Sequence, residues 1–380
     1  MKIIVRGPAL SNSGYGEHCR SLLRALKETG HKIGLINVGW GSSGWIVEDS
    51  QERAEIDSLI METAKDVRSG ETDYDISFQV QLPSEWQSLA PVNIGVTAGS
   101  ESTSVPEEWN DAASAIDAVI VPTNHAKNSF SEAVRDKIHV VPYCVRDIQP
   151  NNTDFGLPKK FNFLTVAQWG PRKNIEQTIA SFIEEFKDDD VGLVLKLGVK
   201  SGSKIDREYV AGNLARFLQG FPTERACGVY LLHGNLTEAQ MRGLYSNEAI
   251  NAYISTSHGE GFGLPVFEAA QEDLPIISPM YSGVCDFLEE EYITPISFSM
   301  EKVGEKSLGI VPSDSSWCQC DGESVRAAMR QVYENYSQAK SKAVTLAETI
   351  RENNSEQNVN KMYNSIISMF LKKGESDETK

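Results

Sequence analysis

From its second residue the chain alternates short apolar runs with longer amphipathic stretches, and after an irregular block at 149–158 the alternation starts again. No other feature of the sequence narrows the fold so much. Short apolar runs bounded by turn residues predict buried strands. Apolar residues at helical spacing predict the helices that cover them. Strands are predicted at 2–6, 33–38, 74–80, 92–97, 118–122 and 138–142, with helices at 14–29, 51–68, 106–115 and 124–134. In the first helix Tyr15, Cys19, Leu22, Leu23 and Leu26 form a stripe along one face, and Gly30 punctuates its end. Beyond the block, strands are predicted at 161–168, 192–197, 228–232, 250–256 and 274–278. Helices are predicted at 172–186, 207–219, 238–246, 264–271 and 282–288, with long helical regions at 323–352 and 356–370.

Such alternation on both sides of a linker predicts an α/β protein of two Rossmann-like, doubly wound domains, 1–149 and 150–354. Open parallel sheets bind ligands at the carboxyl ends of their strands. Two of them facing a central cleft would place a ligand between them. The length of 380 residues agrees with two domains at ~150 residues each.

Composition excludes several classes. Hydrophobic residues make up 40% and charged residues 23%, with no uncharged apolar run approaching the ~18 residues of a membrane helix. The start, Met1-Lys2-Ile3-Ile4-Val5-Arg6-Gly7, reads as a strand and not as a signal peptide. Six scattered cysteines do not form a disulfide scaffold, so a reducing cytoplasm is the expected setting. The net charge of −17 is spread over both halves without a Lys/Arg block, which argues against a general nucleic-acid partner. Cys318-Gln319-Cys320 has no matching His or Cys pair nearby, so no metal site is expected. His18 and His258 read as packing and loop residues.

The segment Ser257-His258-Gly259-Glu260-Gly261-Phe262-Gly263-Leu264-Pro265-Val266-Phe267-Glu268 follows a strand and opens a helix. Pro265 suits the first helical turn. Gly261 and Gly263 bare the backbone just before it, so free amides and the helix dipole form a site for an anion such as phosphate. Glu260 and Glu268 would repel that phosphate. They are expected instead to accept hydrogen bonds from the hydroxyls of a sugar and a ribose.

This stretch resembles the E-x7-E signature of retaining glycosyltransferases of the GT-B fold, in particular the large group called family 4. The resemblance implies that Glu260 contacts the transferred sugar, that Glu268 contacts the nucleotide ribose, and that the amides of Gly261, Phe262, Gly263 and Leu264 hold the donor phosphates. The segment Gln168-Trp169-Gly170-Pro171-Arg172-Lys173-Asn174 is similar to the family's strand–turn–Lys motif. Lys173 matches the lysine that binds pyrophosphate. Where the family commonly has an arginine in the preceding turn, this chain has Gln168, and Arg172 is the candidate to supply that charge. The loop Ser11-Asn12-Ser13-Gly14-Tyr15-Gly16 is similar to the one that family members place over the donor phosphate and acceptor site, which makes Gly14 and Gly16 donor-binding candidates. Thr97-Ala98-Gly99-Ser100-Glu101 resembles a subgroup with a glutamate where many members have a cleft His. Glu101 is therefore a catalytic candidate, and base, acceptor-orienting and helix-capping roles are all open to it.

The resemblance implies transfer of a hexose-type sugar, with retention, from a nucleotide-diphosphate sugar to a hydroxyl of a glycan, a lipid-linked acceptor or a small molecule. It implies no cofactor beyond that co-substrate and no catalytic metal. It also implies that the last helix, within 355–373, crosses back to the first domain. A sugar-nucleotide epimerase or phosphorylase on the same fold, and a non-catalytic sugar-nucleotide-binding protein, are the alternatives. Base contacts are expected from loops at 199–203 and 234–236.

Overall fold

The computed structural model describes residues 1–48, 50–306 and 311–377, with side chains described as far as residue 370. The chain divides into two compact units. The first holds Met1–Ser100, Ser104–Arg146 and Asn353–Lys380, and the second holds Glu101–Thr103 and Asp147–Glu352.

In the first unit the elements run β1 (Lys2–Gly7), α1 (Gly14–Lys27), β2 (Lys32–Asn37), α2 (Gln51–Ser69), β3 (Ile76–Val80), β4 (Val92–Val96), α3 (Glu107–Ala115), β5 (Ala118–Val121), α4 (Asn124–Asn128) and β6 (Ile138–Val140). The strands form one parallel sheet in the order β2-β1-β3-β4-β5-β6. On one face Cys19, Leu22, Leu23 and Leu26 of α1 pack against Ile3, Val5, Phe78 and Val80. Burying each such large apolar side chain contributes ~1.5–3 kcal/mol. On the other face Trp109 and Ala113 of α3 pack with Val119, Val121 and Phe130. Ser13 caps α1 by accepting from the Gly16 amide at 3.1 Å.

The second unit runs β7 (Asn162–Gln168), α5 (Ile175–Phe186), β8 (Gly192–Gly198), α6 (Lys204–Leu218), β9 (Gly228–Leu232), α7 (Glu238–Tyr245), β10 (Ile250–Ile254), α8 (Leu264–Gln271), β11 (Ile276–Ser278), β12 (Thr294–Pro295), β13 (Phe298–Lys302), β14 (Ser316–Cys320), α9 (Gly322–Glu334) and α10 (Tyr336–Asn353). Its parallel sheet has the order β12-β11-β10-β7-β8-β9, and β13 and β14 form a separate antiparallel pair. Phe163, Ile179, Phe182, Phe186, Leu193, Leu195, Met329 and Val332 belong to its core. The last helix, α11 (Glu356–Asp377), returns to the first unit, where Val359, Tyr363, Ile366 and Ile367 join the core beside α1. No helix among the described residues is long and apolar enough to cross a membrane.

Several predicted elements are cut differently. The helix predicted at 172–186 is a short 3-10 turn, Pro171–Lys173, followed by α5 from Ile175. Asn174 separates them at φ 51°, a left-handed conformation that asparagine tolerates better than most residues. The helix predicted at 282–288 is a 3-10 turn, Ser282–Asp286, and the region 323–352 breaks at Asn335 into α9 and α10. The block at 149–158 is irregular but anchored. The Asn151 amide donates to Ala239 O of α7 at 2.8 Å, and Gly243 lies so close that a Cβ there would sit 1.9 Å from Asn151 O.

Candidate functional site

In the second unit β10 lies between β7 and β11 in a parallel sheet, so the loops leaving β7 and β10 emerge side by side. That pairing brings residues 169–174 against residues 255–260. The His258 amide donates to Arg172 O at 2.8 Å. Thr256 Oγ1 donates to Asn174 O at 2.9 Å and meets Thr178 Oγ1 at 2.7 Å. The Arg172 guanidinium donates from Nη1 to Gly259 O at 2.8 Å.

Glu260 stands at the centre of this lacing. Its Oε1 accepts from Lys173 Nζ at 2.5 Å and its Oε2 from Arg172 Nη1 at 3.0 Å. Glu101 belongs to the same unit, and its Oε1 lies 3.3 Å from Arg172 Nη2. Burial pushes the Glu260 carboxyl up, but Lys173 and then Arg172 outweigh it and hold the group down at about 2. Burial lowers the Lys173 ammonium against the opposing pull of Glu260. Burial would lower Arg172 as well, but Glu101 and Glu260 raise it above the usual range. Two carboxylates and two cations thus form a balanced cluster at the carboxyl ends of two strands.

The backbone of Glu260 is fixed from the other side. Its amide donates to Ser282 Oγ at 2.8 Å, and its carbonyl accepts from the Gly283 amide at 2.9 Å. Ser282 holds φ 67°, a conformation costing on the order of 1–3 kcal/mol that persists where surrounding bonds over-determine it. A Cβ at Gly283 would lie 2.3 Å from Gly261 O, so only glycine fits there.

After Glu260 the chain passes through Gly263 at φ 96° into α8, which has no side-chain cap. Pro265 occupies the first turn, where its missing N–H costs no helical hydrogen bond, and with no side-chain cap at Gly263 the positive end of the α8 dipole is not offset by a capping side chain. Phe262 turns its ring into a cluster with Phe267 and Phe287, at centroid distances of 5.0 Å each, which anchors the loop. Glu268, half-buried on α8, accepts from the Tyr245 hydroxyl of α7 at 2.9 Å.

The structure therefore gathers Glu101, Arg172, Lys173 and Glu260 into one cluster, with 261–264 continuing directly from it. Gly14 and Gly16 lie in the first unit. A Cβ at Gly16 would sit 2.0 Å from Ser11 O, so close packing inside its own loop already requires that glycine. The loops at 199–203 and 234–236 meet: a Cβ at Gly202 would come within 2.7 Å of Asn235 Oδ1, while Asp206 accepts from the Val199 and Lys200 amides and pairs with His233 at 2.8 Å.

Sequence reasoning missed the props of the site. His258 stacks on Trp317 with centroids 4.6 Å apart, and its Nδ1 donates to Cys318 O at 2.6 Å. Burial keeps its pKa down, consistent with a neutral ring in that stack. Cys318 and Cys320 point their thiols at Ser257 O and Thr256 O, so the Cys-Gln-Cys strand braces the loop. Among the described residues no group of three or more His, Cys, Asp or Glu is placed to hold a metal ion. The Ser282-Gly283 pair opens the helix predicted at 282–288, and in the structure it forms the clamp on Glu260 instead.

A family model described as "Family 4 Glycosyltransferase in conflict systems" matches residues 246–361, the stretch that carries Glu260 and Glu268. Over 209 residues the chain is 26% identical to a probable sucrose-phosphate synthase of Thermosipho melanesiensis, covering 50% of this chain and 47% of that protein. Over 116 residues it is 33% identical to the serotype-specific mannosyltransferase WbdA of Escherichia coli, covering 30% of this chain and 13% of that one. The chain thus spans less than half the length of these curated relatives. Among solved structures it superposes on a sucrose-phosphate synthase from Thermosynechococcus elongatus with a TM-score of 0.65 at 14% identity, covering 98% of this chain and 99% of that one. It superposes on Anabaena Alr3699/HepE in complex with UDP and glucose with a TM-score of 0.63 at 11% identity, covering 97% and 100%. The chain has the GT-B fold. Within that GT-B fold its likeness is to family 4, and the family match, which runs from the second unit into the first at Asn353, includes Glu260.

Proposed function

We propose that this protein is a retaining glycosyltransferase that moves a hexose-type sugar from a nucleotide-diphosphate sugar to a hydroxyl acceptor. The observation that carries the proposal is the Lys173–Glu260 pair set directly before the uncapped N-terminus of α8. A single ammonium–carboxylate contact is an exchangeable one. The incoming diphosphate takes the ammonium of Lys173 and the dipole end of α8, and Glu260 turns its released oxygen to sugar hydroxyls. Glu268, oriented by Tyr245, accepts from the ribose. UDP and glucose, and UDP-glucose, are the molecules named with the Anabaena structures of the same fold.

In the reaction the bond from the sugar's anomeric carbon to the diphosphate oxygen breaks. The acceptor oxygen bonds to the same face of that carbon, and the acceptor proton passes to the departing diphosphate. Negative charge grows on the leaving group, where Lys173 and the α8 amides stabilise it. This scheme assigns no step to a second carboxylate of the kind hydrolases use.

A thermal-shift screen of nucleotides and nucleotide sugars tests the reading. A ligand at 100 times its Kd stabilises the folded state by ~2.7 kcal/mol. A shift with one nucleotide sugar, followed by NMR of the product anomer formed with candidate acceptors, is the expected outcome. Absence of a shift with every nucleotide and nucleotide sugar would overturn it.

A further inference from the structure

Arg172 and Lys173 are neighbours in sequence, and both touch Glu260, but they touch different oxygens and carry different loads. Lys173 meets Oε1 through one of the three N–H donors of its ammonium. Arg172 meets Oε2, and the same Nη1 also donates to Gly259 O, which uses both Nη1 protons. Its Nη2 faces Glu101. Glu101 is itself held close by. A Cβ at Gly259 would lie 1.8 Å from Glu101 O, and two residues on, the Thr103 amide donates to Ser316 O at 2.9 Å while Thr103 Oγ1 accepts from the Ser316 amide at 2.9 Å. Turning Arg172 towards a phosphate would strip the counter-charge from Glu101, free Glu260 Oε2 and leave the Gly259 carbonyl with the Ser257 hydroxyl, at 3.1 Å, in place of the guanidinium. Turning Lys173 breaks one contact.

We infer that Arg172 is a positioning residue and not a diphosphate ligand: it ties Glu101, Gly259 and Glu260 Oε2 into one frame, while Lys173 alone of the two cations exchanges Glu260 Oε1 for the diphosphate. Glu260 then keeps one oxygen anchored and presents the other to the sugar. This refines the proposed donor site and rests on it.

Isothermal titration separates the two roles. UDP, GDP and ADP are titrated into the wild type, followed by the glucose and mannose esters of whichever diphosphate binds. Lys173→Ala is expected to raise the diphosphate Kd about tenfold or more. Arg172→Gln is expected to leave the diphosphate Kd within about threefold of wild type while the Kd of the sugar ester rises about tenfold, and Glu260→Gln is expected to do the same. The double variant Arg172→Gln/Glu260→Gln should bind the ester no more weakly than Glu260→Gln, because both changes remove one arrangement. A loss of diphosphate binding in Arg172→Gln equal to that in Lys173→Ala overturns the inference. So does an unchanged ester Kd. Should Arg172→Gln fail to fold, Glu101→Gln carries the same comparison, with an ester-specific loss expected and an unchanged ester Kd overturning the inference. If no nucleoside diphosphate binds the wild type, in this series or in the thermal-shift screen, the donor-site reading itself falls.

Discussion

Glu17 in the first unit, half-buried, and Glu260 in the second, buried, are both carboxylates gripped by two cations, and both are held down at about 2. In each, burial works against ionisation. At Glu17 the opposing charges are Arg24 and Arg20, and at Glu260 they are Lys173 and Arg172. The difference lies in the partners. Arg20 and Arg24 sit three and seven residues further along α1, so the helix itself supplies them. Arg20 donates to Glu17 from two nitrogens and also to Ala9 O at 2.9 Å and Ser11 O at 3.0 Å, while Arg24 continues to Glu52 at 2.6 Å. The Glu17 cluster stitches α1 to the preceding loop and to α2. At Glu260 the partners come from another loop altogether, one of them is a lysine with a single contact, and an uncapped helix begins just beyond. Equal electrostatics can thus serve a closed structural tie or an exchangeable site. What separates them is whether each cation is fully committed elsewhere.

The largest effect that sharpens this contrast is the acid limb of stability. A carboxyl whose folded pKa is depressed stabilises the protein fully above its ordinary value of 4.5, and that stabilisation is lost as pH falls through about 2. Each of the two groups is expected to contribute about 3 kcal/mol over that window, at about 1.4 kcal/mol per pH unit. Urea titrations from pH 6 to 2 should show Glu17→Gln and Glu260→Gln each flattening the acid limb by a similar amount, with Glu55, Asp73 and Asp206, whose carboxyls are also held down, contributing to what is left. An unaltered limb would break the parallel.

At neutral pH, Glu17→Gln is expected to cost about 3 kcal/mol of unfolding free energy, since it leaves buried guanidinium groups short of a counter-charge. Nucleotide affinity should stay within about threefold, the mark of a tie with no part in the donor site. A comparable loss of nucleotide binding would merge the two clusters into one functional system. Smaller in energy, Lys173→Ala should weaken a nucleoside diphosphate by about 1.4 kcal/mol while leaving the parent nucleoside unchanged in the same calorimeter. Equal losses for both would remove Lys173 from the phosphate. The smallest change is Ser13→Ala. Removing the α1 cap should cost about 1 kcal/mol in melting experiments and leave nucleotide affinity alone. A shift in that affinity would return the Gly14 and Gly16 loop to the donor site.

Local signals account for what was readable in advance. The α1 stripe, the buried runs of β1, β3, β7 and β10 and the turn into α8 are each written within a few residues, because burial imposes a period on the side chains of one element. The β13–β14 hairpin had no such trace, since all five residues of β13 are exposed and no alternation marks them. Asn174 and Ser282, both at positive φ, broke elements that their neighbours' propensities would have continued.

The candidate site divides in the same way. The chain by itself determined two α/β sheets, the glycine that must precede α8, and the residue types able to hold a diphosphate and sugar hydroxyls. Only the tertiary structure decided that Glu101 belongs to the second unit, that Arg172 spans two carboxylates and a carbonyl, and that Lys173 holds the other oxygen of Glu260. Periodicity reports which face of an element is buried. Charge pairing between residues far apart in sequence is set by the pairing of β7 with β10, which places two loop ends within hydrogen-bonding reach.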